Sequence, residues 1–309
     1  MIFPDGKKFA FTILDDTDDT TLLNGRPIYS LLDELDIRIT KTVWALDTPP
    51  EEQGPYFAAE TLQSPQYLEW VHELADQGFE IAFHNASMGS SIRERTIEAL
   101  DLLSREFNQS PILHCNHGQN KENLYWGTNR YSNILFSGFA RMYSIFAKNP
   151  VFEGHIENSP YFWGDIALKN ISYVRAFAFN RLDCGKIPPG VPFHDPRKPY
   201  VRRWFNTADV PDAQGFKKII TRESINSLYE SRSWCILSTH LGKGYCSDGV
   251  VDPEIEATFR YIATLPGWYV PVSVLLDYLT RSEPDHTLSC FERLRLESTH
   301  ILDRILSHL

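Results

Sequence analysis

Lys8-Phe-Ala-Phe-Thr-Ile-Leu-Asp15-Asp16-Thr-Asp-Asp-Thr20 runs from an apolar segment straight into two adjacent acids, with two more after Thr17. A continuous run rich in Phe, Ile and Leu reads as a strand buried on both faces, as in a parallel sheet. The acids then lie at its C-terminal end, where α/β sheets and barrels collect ligands and chemistry. Successive strand residues point to opposite sides, so Asp15 and Asp16 share a pocket only if the strand has already ended. One carboxylate could then hold a metal ion while the other acts as a base. The same acids would also serve as a solvated loop capping a helix that begins near Thr20.

Working outward, strand and helix alternate along the whole chain. Pro27 opens an expected helix, and Ile37 to Leu46 reads as a β-branched strand. Ser64-Pro65 to Gly78 has the cap, the apolar spacing and the closing glycine of an amphipathic helix. Phe79 to His84 is the next strand, Ser91 to Phe107 a helix, and Ile112 to Gly118 a strand followed by a turn. Helix is expected near Ile134–Phe146, and strands at Tyr173–Phe179, Tyr200–Phe205 and Ser233–His240. Later helices are expected over Thr221–Ser231, Pro253–Leu265 and Val274–Leu279, with a short strand at Trp268–Ser273. The alternation predicts an α/β fold, a distorted (β/α) barrel of about seven parallel strands spanning residues 1–280. A C-terminal helix in 281–309, with apolar residues at 291, 294, 301, 302, 305 and 309, would pack on that barrel or serve as an oligomer contact.

Composition narrows the function. The 309 residues are 42% hydrophobic, enough for one large core. A formal net charge of −10 speaks against a nucleic-acid or anionic-membrane partner. The N-terminus lacks the apolar stretch of a signal peptide and no run approaches a membrane span, so a cytoplasmic protein is expected. The 5 cysteines are scattered without a Cys-x-x-Cys pair, which fits reduced thiols and argues against a Cys-ligated zinc site.

Four expected strand ends carry ligand or proton-transfer groups: Asp15 and Asp16, His84, His114 and His117, and His240. Asp plus two His is an open ligand set for Zn²⁺ or a related divalent ion. Asp18 and Asp19 read instead as acids at a helix N-terminus.

The order of these motifs resembles the polysaccharide deacetylases, family four of the carbohydrate esterases. Thr12-Ile-Leu-Asp15-Asp16-Thr17 is similar to that family's Thr-Phe-Asp-Asp-Gly, with Thr17 in place of the glycine. Gly78-Phe-Glu-Ile-Ala-Phe-His84 matches the approach to its His-x-x-x-His motif, whose second His falls at Met88. Leu237-Ser-Thr-His240 matches its last motif, and His114-Cys-Asn-His117-Gly118 stands by order where the family has an Arg-Pro-Pro-like segment. The resemblance covers about residues 9–279. It implies a distorted barrel and metal-dependent removal of an acetyl group from an N-acetylated sugar or related amide. It implies Asp15 as general base, Asp16 and His84 as metal ligands, and His240 as general acid. For the ligand missing at Met88 the candidate is His117, since Gly118 lets the backbone turn tightly beneath it. The alternative is a metal-free protein of the same fold that binds carbohydrate or a partner without catalysis. A C–N hydrolase of non-sugar substrates is a third reading.

Overall fold

The structure, a computed structural model, describes residues 2–52, 59–138, 141 and 151–307. Seven parallel strands close into a barrel: β1 (Phe9–Asp15), β2 (Thr40–Val43), β3 (Glu80–Phe83), β4 (Leu113–His114), β5 (Tyr173–Phe179), β6 (Arg203–Asp209) and β7 (Trp234–Thr239), with β7 returning to β1. Every residue of β1 is buried, as the apolar run requires. β1 pairs with β7 along Ala10 to Asp15, while its other edge is shared. Leu14 and Asp15 pair with β2, and Phe9 and Ala10 pair with the short strand Gly267–Trp268. Splitting one edge between two partners is the barrel's distortion.

Around the barrel lie α1 (Leu22–Glu34), α2 (Pro65–Asp76), α3 (Arg93–Glu106), α4 (Gly164–Asn170), α5 (Ala213–Ile219), α6 (Arg222–Ser231), α7 (Pro253–Ala263) and α8 (Val272–Ser282). α1 begins five residues before Pro27. Thr21 caps it, accepting from the Asn24 amide while the Asn24 side chain accepts from the Thr21 amide. The acids at 18 and 19 therefore precede the helix. β6 starts at Arg203 because residues 195–201 form successive turns, Lys198 N–H donating to the Asp195 carbonyl and Val201 N–H to the Lys198 carbonyl. It then continues through Asn206 to Asp209, past Phe205, the end of the expected strand. Of the helix expected over Ile134–Phe146, residues 134–138 are helical and 142–146 lie outside the described residues. Among the described residues no helix is long and apolar enough to cross a membrane.

The last helix, α9 (Cys290–Ser307), packs against β5 by a different face from the one its apolar residues suggest. Phe291, Leu294, Leu302 and Ile305 are exposed, while Arg293, Leu296, Glu297, His300 and Asp303 are buried. Arg293 donates to Asp195 at 2.7 Å, Glu297 accepts from the amides of Ser132 and Asn133, and Asp303 accepts from the Asn180 amide. Each polar group on this face finds a specific partner, which offsets its desolvation.

The His300 ring lies between Tyr131, Phe177 and Phe179, with Nδ1 2.8 Å from the Tyr131 hydroxyl. Burial, then the charges of Arg130 and Arg304, holds its pKa well below the ordinary value, and burial pushes His155 down to about 4. Both rings stay neutral in the folded chain and take up protons once unfolded, so stability is full above about pH 6.5 and falls below it. Urea unfolding should give a lower free energy at about pH 5.5 than at about pH 7.5, with a shallower dependence in His300→Phe. Equal values at the two pHs would contradict the assignment.

Candidate active site

Asp15 and Asp16 part company at the end of β1. The Asp15 side chain is buried on the helix side. Its Oδ2 accepts from the Tyr29 hydroxyl at 2.7 Å and lies 3.4 Å from Lys41 Nζ, and its Oδ1 accepts from the Leu241 amide at 2.8 Å. Lys41 is itself fully buried, 5.5 Å from the ring centroids of Tyr29 and Trp70. Burial lowers its pKa, and the outweighing pull of Tyr67 and Asp15 leaves it raised, so the ammonium persists.

Asp16 turns the other way, into a cleft of about 290 Å³ at the barrel mouth. Asp16, Asp18, His84, His117, Arg130, Arg175, Asp209, Ser238, His240 and Arg304 all line it. The cleft therefore gathers four of the six strand-end groups singled out from the sequence; Asp15 is not among its lining residues, and neither is His114, which is buried against the Phe83 carbonyl and Asn116. Arg175, on β5, donates to Asp16 Oδ2 at 2.7 Å and to the Ser238 hydroxyl, and the Cys115 thiol donates to Asp16 Oδ1 at 3.0 Å. Burial would raise the Asp16 pKa, but Arg175 above all, with His84 and His240, holds it below the usual value.

The centre of the cleft is Asp18. His84 Nε2 lies 3.3 Å from its Oδ1, and His117 and His240 Nε2 lie 3.7 and 3.4 Å from its Oδ2. The opposite nitrogen of each ring is already committed. His84 Nδ1–H donates to the Cys115 carbonyl at 2.8 Å, and His240 Nδ1–H to the Pro211 carbonyl at 2.7 Å. His117 Nδ1 faces Asn120 Oδ1 at 2.7 Å. The Asn120 amide nitrogen faces the carbonyls of Ser87 and Gly89 and Glu122 Oε1, so its oxygen is the acceptor and His117 Nδ1 the donor. Neutral rings with these tautomers aim three lone pairs at one carboxylate. His84 Nε2 and Asp18 Oδ1 are both buried and have no hydrogen-bond partner.

Two lone pairs at 3.3 Å repel unless a positive charge lies between them, either a proton or a metal ion. For Asp18, burial raises the pKa and is outweighed by His240, His84 and His117, which hold the carboxyl far below its usual range. Burial lowers the His117 pKa, opposed by Asp18, whereas for His240 the pull of Asp18 and Asp16 outweighs burial and raises it. Thus His117 favours the neutral, ligating form and His240 the protonated one. The 3.3 Å between His84 Nε2 and Asp18 Oδ1 matches the spacing of about 3.3 Å between ligand atoms on a tetrahedral ion with bonds of about 2.0–2.1 Å, whereas His117, 3.7 Å from the other oxygen, stands wider. Among the described residues, the triplet whose ligand atoms all lie within 4.8 Å of one another is Asp16, His84 and Cys115. Its Cys115–Asp16 edge already carries a hydrogen bond and burial raises the thiol pKa, so Asp18 is the better partner for His84.

No protein-family model matches this chain, and no curated protein matches it. Solved structures do. One from Mycobacterium smegmatis, described as a polysaccharide deacetylase, superposes with a TM-score of 0.55 at 11% identity, covering 92% of this chain and 94% of its own. The fold is that of the polysaccharide deacetylases. A structure from Pseudomonas aeruginosa PAO1 described in the same terms gives 0.51 at 12% identity, covering 91% and 94%. The allantoinase Puue gives 0.51 at 10%, covering 91% and 93%. At these identities the likeness is one of backbone architecture.

Asp18 and Arg175 are among the lining residues that sequence patterns left out, with Arg130, Asp209, Ser238 and Arg304. Asp18 reads as an acid serving a helix N-terminus, and Arg175 sits inside an otherwise apolar strand. The position of Asp15 yields a stability prediction. Lys41→Met strands a buried carboxylate and should cost roughly 3–5 kcal/mol in urea unfolding, most of it recovered in the Asp15→Leu, Lys41→Met double variant. A loss within about 0.5 kcal/mol, the range of surface changes, would contradict the buried pair.

Proposed function

We propose that this chain is a metal-dependent hydrolase of the deacetylase type, cleaving the acetyl amide of an N-acetylated sugar or a related amide. The observation that carries the proposal is the convergence of three Nδ1-tethered imidazoles on Asp18. In this reading Asp18, His84 and His117 hold a divalent ion, zinc being the natural choice for two imidazoles and a carboxylate. Such an ion would polarise the amide carbonyl and acidify water.

The chain's own groups move the protons. Asp16, kept ionised by Arg175, takes the proton of the attacking water. His240, whose protonated form Asp18 favours, gives a proton to the leaving nitrogen, so amide and water become carboxylate and free amine. Asp15 acts as an anchor, holding the Leu241 amide beside His240. This reading moves the base from Asp15 to Asp16, and the metal-binding carboxylate from Asp16 to Asp18. Asn120 fixes the His117 tautomer. The five cysteines, all free, suit a reducing, cytoplasmic setting.

Metal analysis after reconstitution should find about one zinc per chain, lost in Asp18→Ala and His84→Ala. Asn120→Ala should weaken metal binding by roughly 10–100-fold while leaving the fold intact. His240→Gln should keep the metal and lose roughly 100-fold or more in acetate release from N-acetylglucosamine derivatives. A wild-type protein that retains no metal after reconstitution would favour the metal-free binding reading, and metal without acetate release would point to another C–N hydrolase.

A further inference from the structure

The cleft holds one cation more than it can pair among the described residues. Arg175 is bound to Asp16 and Arg304 to Asp209, at 2.7 and 2.9 Å. Arg130, at the end of the turn Gly127–Arg130, has no carboxylate within 4.0 Å and donates no hydrogen bond among the described residues, and its Nε is buried without a partner. Its guanidinium carbon lies 3.3 Å from the ring centroid of Trp126, and that ring is also 5.9 Å from the guanidinium carbon of Arg175. Trp126 therefore links Arg130 to the residue that holds Asp16. Burial pushes the Arg130 pKa down to about 9, opposed first by Tyr131 and aided by the charges of Arg175 and Arg304.

A desolvated guanidinium without a counter-ion is costly, and Arg is the side chain best shaped to grip a carboxylate or phosphate through two parallel N–H bonds. We propose that Arg130 is the specificity-determining residue of the cleft, binding an oxyanion carried by the substrate beside its scissile amide. The preferred substrate is then an anionic N-acyl compound. The substrate class rests on the hydrolase reading above; the anion site stands on Arg130 itself.

Two measurements keep the claims apart. In the first, inorganic phosphate and succinate are titrated into the metal-loaded protein at constant ionic strength, with Trp fluorescence and calorimetry as readouts. Wild type should bind at least one of the two saturably, identifying phosphate or carboxylate as the favoured anion. Arg130→Met should weaken that binding about tenfold or more, Arg130→Lys should fall between, and the exposed control Arg105→Leu should match wild type. Since Arg130→Met removes an unpaired, partly buried charge, its unfolding midpoint without ligand should be no lower than wild type. Absence of binding to wild type, equal binding by Arg130→Met, or a markedly lower midpoint would overturn the proposal. In the second, acetate release is compared for N-acetylglucosamine and its 6-phosphate. A preference for the phosphate form that disappears in Arg130→Met supports the substrate class, and equal turnover of both overturns it. If neither is hydrolysed while Arg130-dependent anion binding persists, the deacetylase reading fails and the anion site stands.

Discussion

A neutral imidazole that donates its Nδ1–H to a carbonyl turns a lone pair toward whatever its Nε2 faces. In this chain three such rings face the same carboxylate, at 3.3 to 3.7 Å. Asp18 has no proton of its own to offer, since its surroundings hold it ionised. The cluster is electrostatically sound only with positive charge among the four groups. Much of the surrounding structure enforces that condition. The Cys115 and Pro211 carbonyls and Asn120 fix the rings, and burial of Asp18 and His84 keeps water from relieving them.

The barrel supplies the convergence. Asp16 and Asp18 follow β1, His84 follows β3, His117 follows β4 and His240 follows β7, so each group is delivered by the C-terminal end of a parallel strand. Asp15 works from behind. It ties the end of β1 to helix α1 through Tyr29, to β2 through Lys41, and to the turn after His240 through the Leu241 amide. A buried ion pair contributes little net stability compared with apolar packing, yet it penalises every arrangement that leaves either charge alone. Such a penalty holds a strand end in one conformation.

The fold was largely legible because β1 is apolar on both faces and the later strands alternate with capped helices. Strand ends were legible as a site because His is an unusual residue there, and Asp16, His84, His117 and His240 all reach the cleft. Asp18 was not, because an acid just before a helix ordinarily serves the helix dipole. Here Thr21 takes the cap and Asp19 adopts a positive φ of 61°, which leaves residue 18 outside the helix and turned into the barrel mouth. Arg175 was hidden by strand periodicity; the pairing of β5 with β6 shifts register between Arg175 and Ala178, and no local pattern announces that. The docking face of α9 was misread for a related reason. Phe291, Leu294, Leu302 and Ile305 point to solvent, and the polar residues of the buried face are satisfied by loop amides and by Asp195, partners remote in sequence.

The most direct test is the protonation of the three rings, read from two-bond ¹H–¹⁵N correlations of His-labelled protein before and after zinc is added. Nδ1–H tautomers are expected for His84 and His117, with both Nε2 resonances shifting on stoichiometric zinc, and an imidazolium at His240. Nε2–H tautomers at His84 and His117, with resonances indifferent to zinc, would contradict this assignment.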